Sequence, residues 1–271
     1  MGRILKSIAL TLVIAILLGA CFVANALFGN PLSMALAKRT AGNYLAEKYS
    51  GTDLEIAEAS YSFKDGYYYV YIKSVSSIDT HFVLMMNSLG QLKFDYSDHV
   101  KNGRNTANRI DSEYRAKVDE VLSSESIPCY VSIGFGEIVF EMPSDTDAVS
   151  YAIDMSELII DKEYDINELG AVAGRLTVYV EDETVSVERL SEILLGIRDI
   201  FDAAGVRFYA INCVLEYPVG DDGISKPGHL EVSDFLYSDI CEPGLTERVA
   251  EENKPKVVYP EPVESKEPEI K

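Results

Sequence analysis

The chain has no CxxC pair, no glycine-rich phosphate loop and only three histidines, His81, His99 and His229. Its four cysteines, Cys21, Cys129, Cys213 and Cys241, are scattered, which fits neither a zinc ribbon nor a disulfide framework. A single bridge among the last three and buried free thiols both remain open readings. Basic residues are scarce: 24 Lys and Arg stand against 44 Asp and Glu, for a formal net charge of −20. Such a surface repels phosphate backbones and anionic headgroups, so neither nucleic acid nor electrostatic adsorption to a membrane is expected. No cofactor is expected either.

What the chain does have is a long apolar run at its start. Arg3 and Lys6 precede an almost unbroken stretch from Ser7 to Phe28. At ~1.5 Å per residue it is long enough to cross a hydrocarbon core of ~30 Å. No basic residue follows between Phe28 and Lys38, so the charge bias puts the N-terminus in the cytoplasm and everything from about Gly29 outside. Two other fates share this beginning. Leu18-Gly19-Ala20-Cys21 resembles a bacterial lipobox, in which Cys21 would be acylated, and Ala24-Asn25-Ala26 has the small-x-small pattern of a signal-peptidase site. Phe22-Val23 and Leu27-Phe28 follow these sites, where mature exported proteins turn polar. Residues 1–28 are therefore read as an uncleaved single-pass anchor in the cell membrane with an extracytoplasmic body. The lipoprotein is the alternative, and a cleaved signal a third.

The body reads as α+β, with an apolar content of 47% that allows a sizeable core. An N-terminal unit is expected over 29–126, a second α+β unit over 127–250 and a disordered, acidic, proline-rich tail over 251–271. Asn30-Pro31 starts a helix to about Tyr49, with Leu32, Leu36, Ala37, Thr40, Ala41, Tyr44 and Leu45 on its one buried face. Four short strands with hairpin turns follow, at Leu54–Phe63, Tyr67–Ser74, Thr80–Met86 and Gln91–Tyr96, and a helix from Arg104 to Leu122 closes the unit. Ile127-Pro128 opens the second unit. There, Tyr130–Phe135 and Glu137–Met142 read as a hairpin pivoting on Gly134 and Gly136. A short helix at Ile166–Ala173 and a strand at Arg175–Val180 come next. Ser186 caps a long amphipathic helix that Gly205 stops, before strands at Val206–Tyr217 and Leu230–Tyr237.

Candidate chemistry is thin. Ser77, Asp79 and His81 alternate, so on a strand they would face one side, but at ~6.5 to 7 Å spacing they are too far apart to form a triad by themselves. A hydrogen-bonded sheet face is the expected role. His81 and His99 with Asp79, Asp95 and Asp98 are chemically suited to zinc or manganese, yet their spacing fits no motif of fixed geometry. Asp145 with Asp147, and Glu181 through Glu183, fall short of a calcium loop. Tyr67, Tyr69 and Tyr71 share one strand face and Tyr68 and Val70 the other. One set is core, and the other either lines a recognition groove or shields the sheet.

Several segments together resemble the YfjL-like family of Gram-positive bacterial proteins. They are Gly29-Asn-Pro-Leu-Ser33, Tyr44-Leu-Ala-Glu-Lys-Tyr49, Tyr61-Ser-Phe-Lys-Asp-Gly66 and Ser77-Ile-Asp-Thr-His-Phe82, with Val178-Tyr-Val-Glu-Asp182, Leu215-Glu-Tyr-Pro218 and Asp234-Phe-Leu-Tyr237 in the second half. The resemblance implies a membrane-attached protein of two small α/β units and carries over no functional residue. The order of one helix and then a meander also resembles the cystatin-like arrangement of PepSY-type domains, which implies inhibition or ligand binding by fold analogy alone. The expected role is a non-enzymatic envelope module that binds a protein, peptide or envelope component through its sheet surfaces, with Asp79, His81, Tyr67, Tyr69 and Tyr71 as candidate binding residues. The alternative is a hydrolase or metal-dependent enzyme using Asp79 and His81.

Overall fold

A computed structural model describes residues 2–124, 129–141, 149–220, 223 and 225–254, with side-chain detail from Leu10 onward except at Cys21. The expected boundary at Ile127-Pro128, the Asp145/Asp147 pair, the lipidation candidate Cys21 and the tail beyond Lys254 lie outside the described residues or side chains. Helices α1 (Gly2–Phe28) and α2 (Pro31–Lys48) lead into strands β1 (Leu54–Tyr61), β2 (Tyr68–Ser74), β3 (His81–Met86) and β4 (Leu92–Asp95), then α3 (Asp98–Lys101) and α4 (Arg104–Leu122). Next come β5 (Tyr130–Ile138), β6 (Phe140–Glu141), β7 (Ile153–Asp154), α5 (Ile166–Ala173), β8 (Gly174–Glu181), α6 (Val187–Ala204), β9 (Ala210–Glu216), β10 (His229–Leu236) and α7 (Leu245–Glu252). The fold is α+β. Two compact units share the chain: 1–113 with 139–165, and 114–138 with 166–271.

In the first unit, α1 is long and apolar enough to cross a membrane, with a mean hydropathy of 2.5 over its most apolar window and none of that window buried. Gly29, at φ +74°, ends it in the left-handed region that glycine tolerates. Asn30 Oδ1 then accepts the Leu32 N–H at 2.8 Å, and Pro31 takes the first helical position of α2. Strands β1 to β4 form an antiparallel sheet in sequence order. The small residues Ala37 and Ala41, with Leu45, let α2 pack closely on one face of that sheet. They meet Tyr68, Val70 and Ile72 of β2 and Phe82, Leu84 and Met86 of β3. Leu32 and Leu36, expected on the same buried face, are instead 74% and 45% exposed, because they lie toward the edge of the helix that the sheet does not cover. Tyr44 Oη and Lys48 Nζ both donate to Asp95 Oδ2 at 2.6 Å, which ties the last turn of α2 to β4. Burial pushes the Asp95 carboxyl up, but Lys48, Tyr44 and the Ser97 N–H outweigh it and hold it down to about 2.

The second unit holds a mixed sheet in the order β10-β9-β8-β5, parallel between β8 and β9 and antiparallel elsewhere. The amphipathic helix α6 makes the parallel crossover. Ser186 Oγ accepts the Arg189 N–H at 3.1 Å at its start, and Gly205 at φ +68° stops it. Leu190, Ile193, Leu194, Ile197 and Phe201 of α6 are buried, as are Leu176, Val178 and Val180 of β8.

Two sequence expectations are corrected in this unit. The hairpin expected at Gly134 and Gly136 is one continuous strand, β5, paired with β8 along its length. A Cβ on Gly136 would stand 2.5 Å from Val118 Cγ2, and one on Gly134 would stand 2.8 Å from Leu122 Cδ1. These glycines let α4 side chains reach the strand backbone instead of making a turn. Glu251 and Glu252, expected to begin the tail, end helix α7, whose Leu245 and Val249 are fully buried.

Candidate functional site

Ser77 and Asp79 lie in the loop between β2 and β3, and only His81 is on a strand, so the same-face row expected from alternation does not form. The cause is local. Ser74 Oγ accepts the N–H groups of Ser76 and Ser77 at 3.1 and 3.0 Å, and Ser77 Oγ accepts that of Thr80 at 2.9 Å. Serine side chains thus take up backbone donors that a strand ladder would otherwise use.

The loop aims Asp79 inward, where it is 1% exposed. Its carboxylate accepts from Thr106 Oγ1 at 3.0 Å, from Arg109 Nε and Nη2 at 2.8 and 3.0 Å, and from the Asp161 N–H at 2.8 Å. Asp161, held at φ +60°, returns a bond by accepting the Asp79 N–H at 3.0 Å. Asn105 Nδ2 donates to the carbonyls of Asp79 and His81 at 2.8 and 2.6 Å. Burial raises the Asp79 carboxyl, but the bidentate Arg109 guanidinium, the Asp161 N–H and Thr106 together hold it below its ordinary value. This is a buried structural carboxylate whose four hydrogen bonds come from protein donors, three at Oδ2 and one at Oδ1. None of its donors is His81, whose Nδ1 lies 3.2 Å from the Ile78 carbonyl.

His81 instead opens onto the face of the first sheet opposite α2. The cross-strand partners Tyr69, Met85 and Phe94 share that face, as do Tyr71 with Val83 and Lys73 with His81. Tyr68 and Val70 point the other way, into the core. Tyr67 precedes the strand, in the turn, where its N–H bonds Asp65 Oδ1. Tyr69, His81, Val83, Tyr96, His99 and Asn105 line a shallow groove of 350 Å³. Phe94 and Tyr96 lie with ring centroids 6.3 Å apart, and Tyr96 and His99 at 5.5 Å. Tyr69 Oη donates to Asp65 at 2.6 Å, and this bond pushes the phenol up to about 12. Burial, followed by the nearby Arg104 charge, lowers His99, which favours the neutral ring.

The groove brings His81 and His99 together but not the carboxylates expected with them. Asp95 is engaged by Lys48 and Tyr44, Asp98 lies 3.7 Å from Lys101, and Asp79 is buried. Among the described residues no group of three or more His, Cys, Asp or Glu is placed to hold a metal ion. Cys129, Cys213 and Cys241 are free thiols, and burial pushes Cys213 up to about 12. Sequence reasoning missed Arg109, Thr106 and Asp161 as partners of Asp79, because they are 30, 27 and 82 positions away. It also missed Phe94 and Tyr96, which join the tyrosine face only through the β3–β4 pairing.

Residues 4–98 match the family model of the YfjL-like N-terminal domain, and residues 113–250 match that of the YfjL-like C-terminal domain. No curated protein and no solved structure matches the chain. With both domains present in order over most of its length, the chain belongs to the YfjL-like family.

Proposed function

We propose that this protein is a membrane-anchored, non-enzymatic binding module of the cell envelope, with α1 as a single-pass anchor, its N-terminus cytoplasmic and the rest of the chain extracytoplasmic. The aromatic face of the first sheet is its ligand surface, and the ligand is a protein, peptide or envelope component. One observation carries the reading: Tyr71 and Phe94 are 36% and 56% exposed beside a groove of tyrosine and histidine, an amphipathic surface that gains contact area at low ordering cost. The helix-then-meander order, which resembles PepSY-type domains, agrees with binding. The enzymatic alternative through Asp79 and His81 has less support, since the Asp79 carboxylate is buried and engaged by four protein donors, none of them His81.

A photoreactive phenylalanine analogue placed at Tyr71 in the membrane-bound full chain should give a discrete cross-linked adduct, while the same analogue at Lys226 should not. An equal background at both positions would remove the sheet face as the ligand surface. Attachment has its own test. Cys21→Ser should leave the protein in the membrane fraction with residues 1–28 retained, whereas an intact mass with acylated Cys21 as the first residue would establish the lipoprotein instead.

A further inference from the structure

The end of the first sheet at which α1 terminates also carries the exposed apolar side chains of two turns. Tyr61 of β1 pairs with Tyr68 of β2, Tyr68 with Met86 of β3, and Met86 with Leu92 of β4, so the β1–β2 and β3–β4 turns lie at one end. The end of α1 is fastened there. Tyr61 Oη donates to the Ala26 carbonyl at 3.2 Å, the Asn30 N–H donates to Tyr68 Oη at 2.7 Å, and a Cβ on Gly29 would stand 2.6 Å from the Tyr61 ring. Phe63 in the first turn is 64% exposed, Leu89 in the second 70%, and Leu32 in the first turn of α2 74%. Leu36, one helical turn further, packs against Gly90 of the second turn. The opposite end of the sheet holds the loop with Ile78, 65% exposed and remote from α1.

We propose that this end of the first unit is a membrane-seating surface: Phe63, Leu89 and Leu32 insert among the lipids of the leaflet in which α1 terminates. The occupant is lipid, because the apolar collar is continuous with an apolar helix that ends in the same place. Attraction between charges does not drive the contact, since a chain of net charge −20 is repelled by anionic headgroups. Burial of the exposed aromatic and leucine side chains at the headgroup boundary does. Through the Tyr61 and Tyr68 contacts, the seating sets how this unit stands on its anchor.

The inference rests on the anchor reading, and the chain's lack of tryptophan makes both testable by the same measurement. The full-length protein is reconstituted in phosphatidylcholine–phosphatidylglycerol vesicles as four single-tryptophan variants: Ile14→Trp, Phe63→Trp, Leu89→Trp and Ile78→Trp. Ile14→Trp should be quenched by lipids brominated deep in the acyl chain. Phe63→Trp and Leu89→Trp should emit at shorter wavelength than Ile78→Trp and be quenched more by lipids brominated near the headgroup. Raising the salt concentration should leave that difference in place. If Ile14→Trp is quenched while either turn variant is quenched no more than Ile78→Trp, the seating surface is wrong and the anchor stands. If Ile14→Trp is not quenched, both fall together.

Discussion

Asp79→Ala is expected to lower the unfolding free energy by about 3–5 kcal/mol, the range for removing one partner of a buried ion pair. The loss exceeds that of a single hydrogen bond because the partners remain. The Arg109 side chain, 18% exposed, would keep its charge with only the half-exposed Glu113 at 3.3 Å to offset it, and Thr106 and the Asp161 N–H would lose their acceptor. Removing both charges with Asp79→Ala and Arg109→Met together should cost less than Asp79→Ala alone. The pH dependence follows from the direction of the Asp79 shift. Its native pKa lies below the unfolded value of about 3.9, so its contribution is complete above that pH and is lost as pH falls through the native value. The gap between wild type and Asp79→Ala should therefore close on acidification. Denaturant unfolding at neutral and acidic pH measures both, and an unchanged midpoint in Asp79→Ala at neutral pH would free this carboxylate for a chemical role.

Gly170→Ala in α5 is expected to destabilise the protein by about 2–3 kcal/mol, although alanine ordinarily stabilises a helix interior by about 1 kcal/mol relative to glycine. The added Cβ would stand 2.4 Å from the Arg207 carbonyl oxygen and 2.8 Å from the Tyr114 ring. Backbone cannot move aside as a flexible side chain can. Gly136, Gly170 and Gly174 all border Tyr114, which is fully buried and donates to the Arg207 carbonyl at 3.0 Å. Any displacement of the ring also endangers that bond, worth about 1 kcal/mol. Gly42→Ala in α2 is the contrasting case. Nothing lies within 4 Å of its Cβ position, so propensity alone acts and the variant should gain up to about 1 kcal/mol. Thermal unfolding of the two variants should shift in opposite directions, and a stabilised Gly170→Ala would contradict the close packing around Tyr114.

Local signals made much of the fold legible. Asn30-Pro31, and Ser186 with Gly205, mark helix ends because caps satisfy the orphan backbone groups of the helix within a few residues. Helices α4 and α5 span the residues that hydrophobic periodicity and flanking signals mark, Arg104–Leu122 and Ile166–Ala173. The strands of the first sheet follow from alternation and turn residues in the same way. The apolar length of α1 is likewise a property of the sequence alone.

Tertiary structure decided what depends on distant neighbours. Gly134 and Gly136 carry a turn signal in sequence, yet they extend a strand, because Val118, Leu122 and Tyr114 of a preceding helix need the space a Cβ would fill. Asp79 looked like one of three groups on a strand face. It is a buried hub instead, because Arg109 and the Asp161 backbone reach it from 30 and 82 residues away. Which tyrosines face the core and which face solvent was settled by the side on which α2 packs, and the aromatic groove was completed by Phe94 and Tyr96 across the β3–β4 pairing. Period and capping are written within one turn of chain, but close approach, burial of charge and the choice of exposed face arise only where separate segments meet.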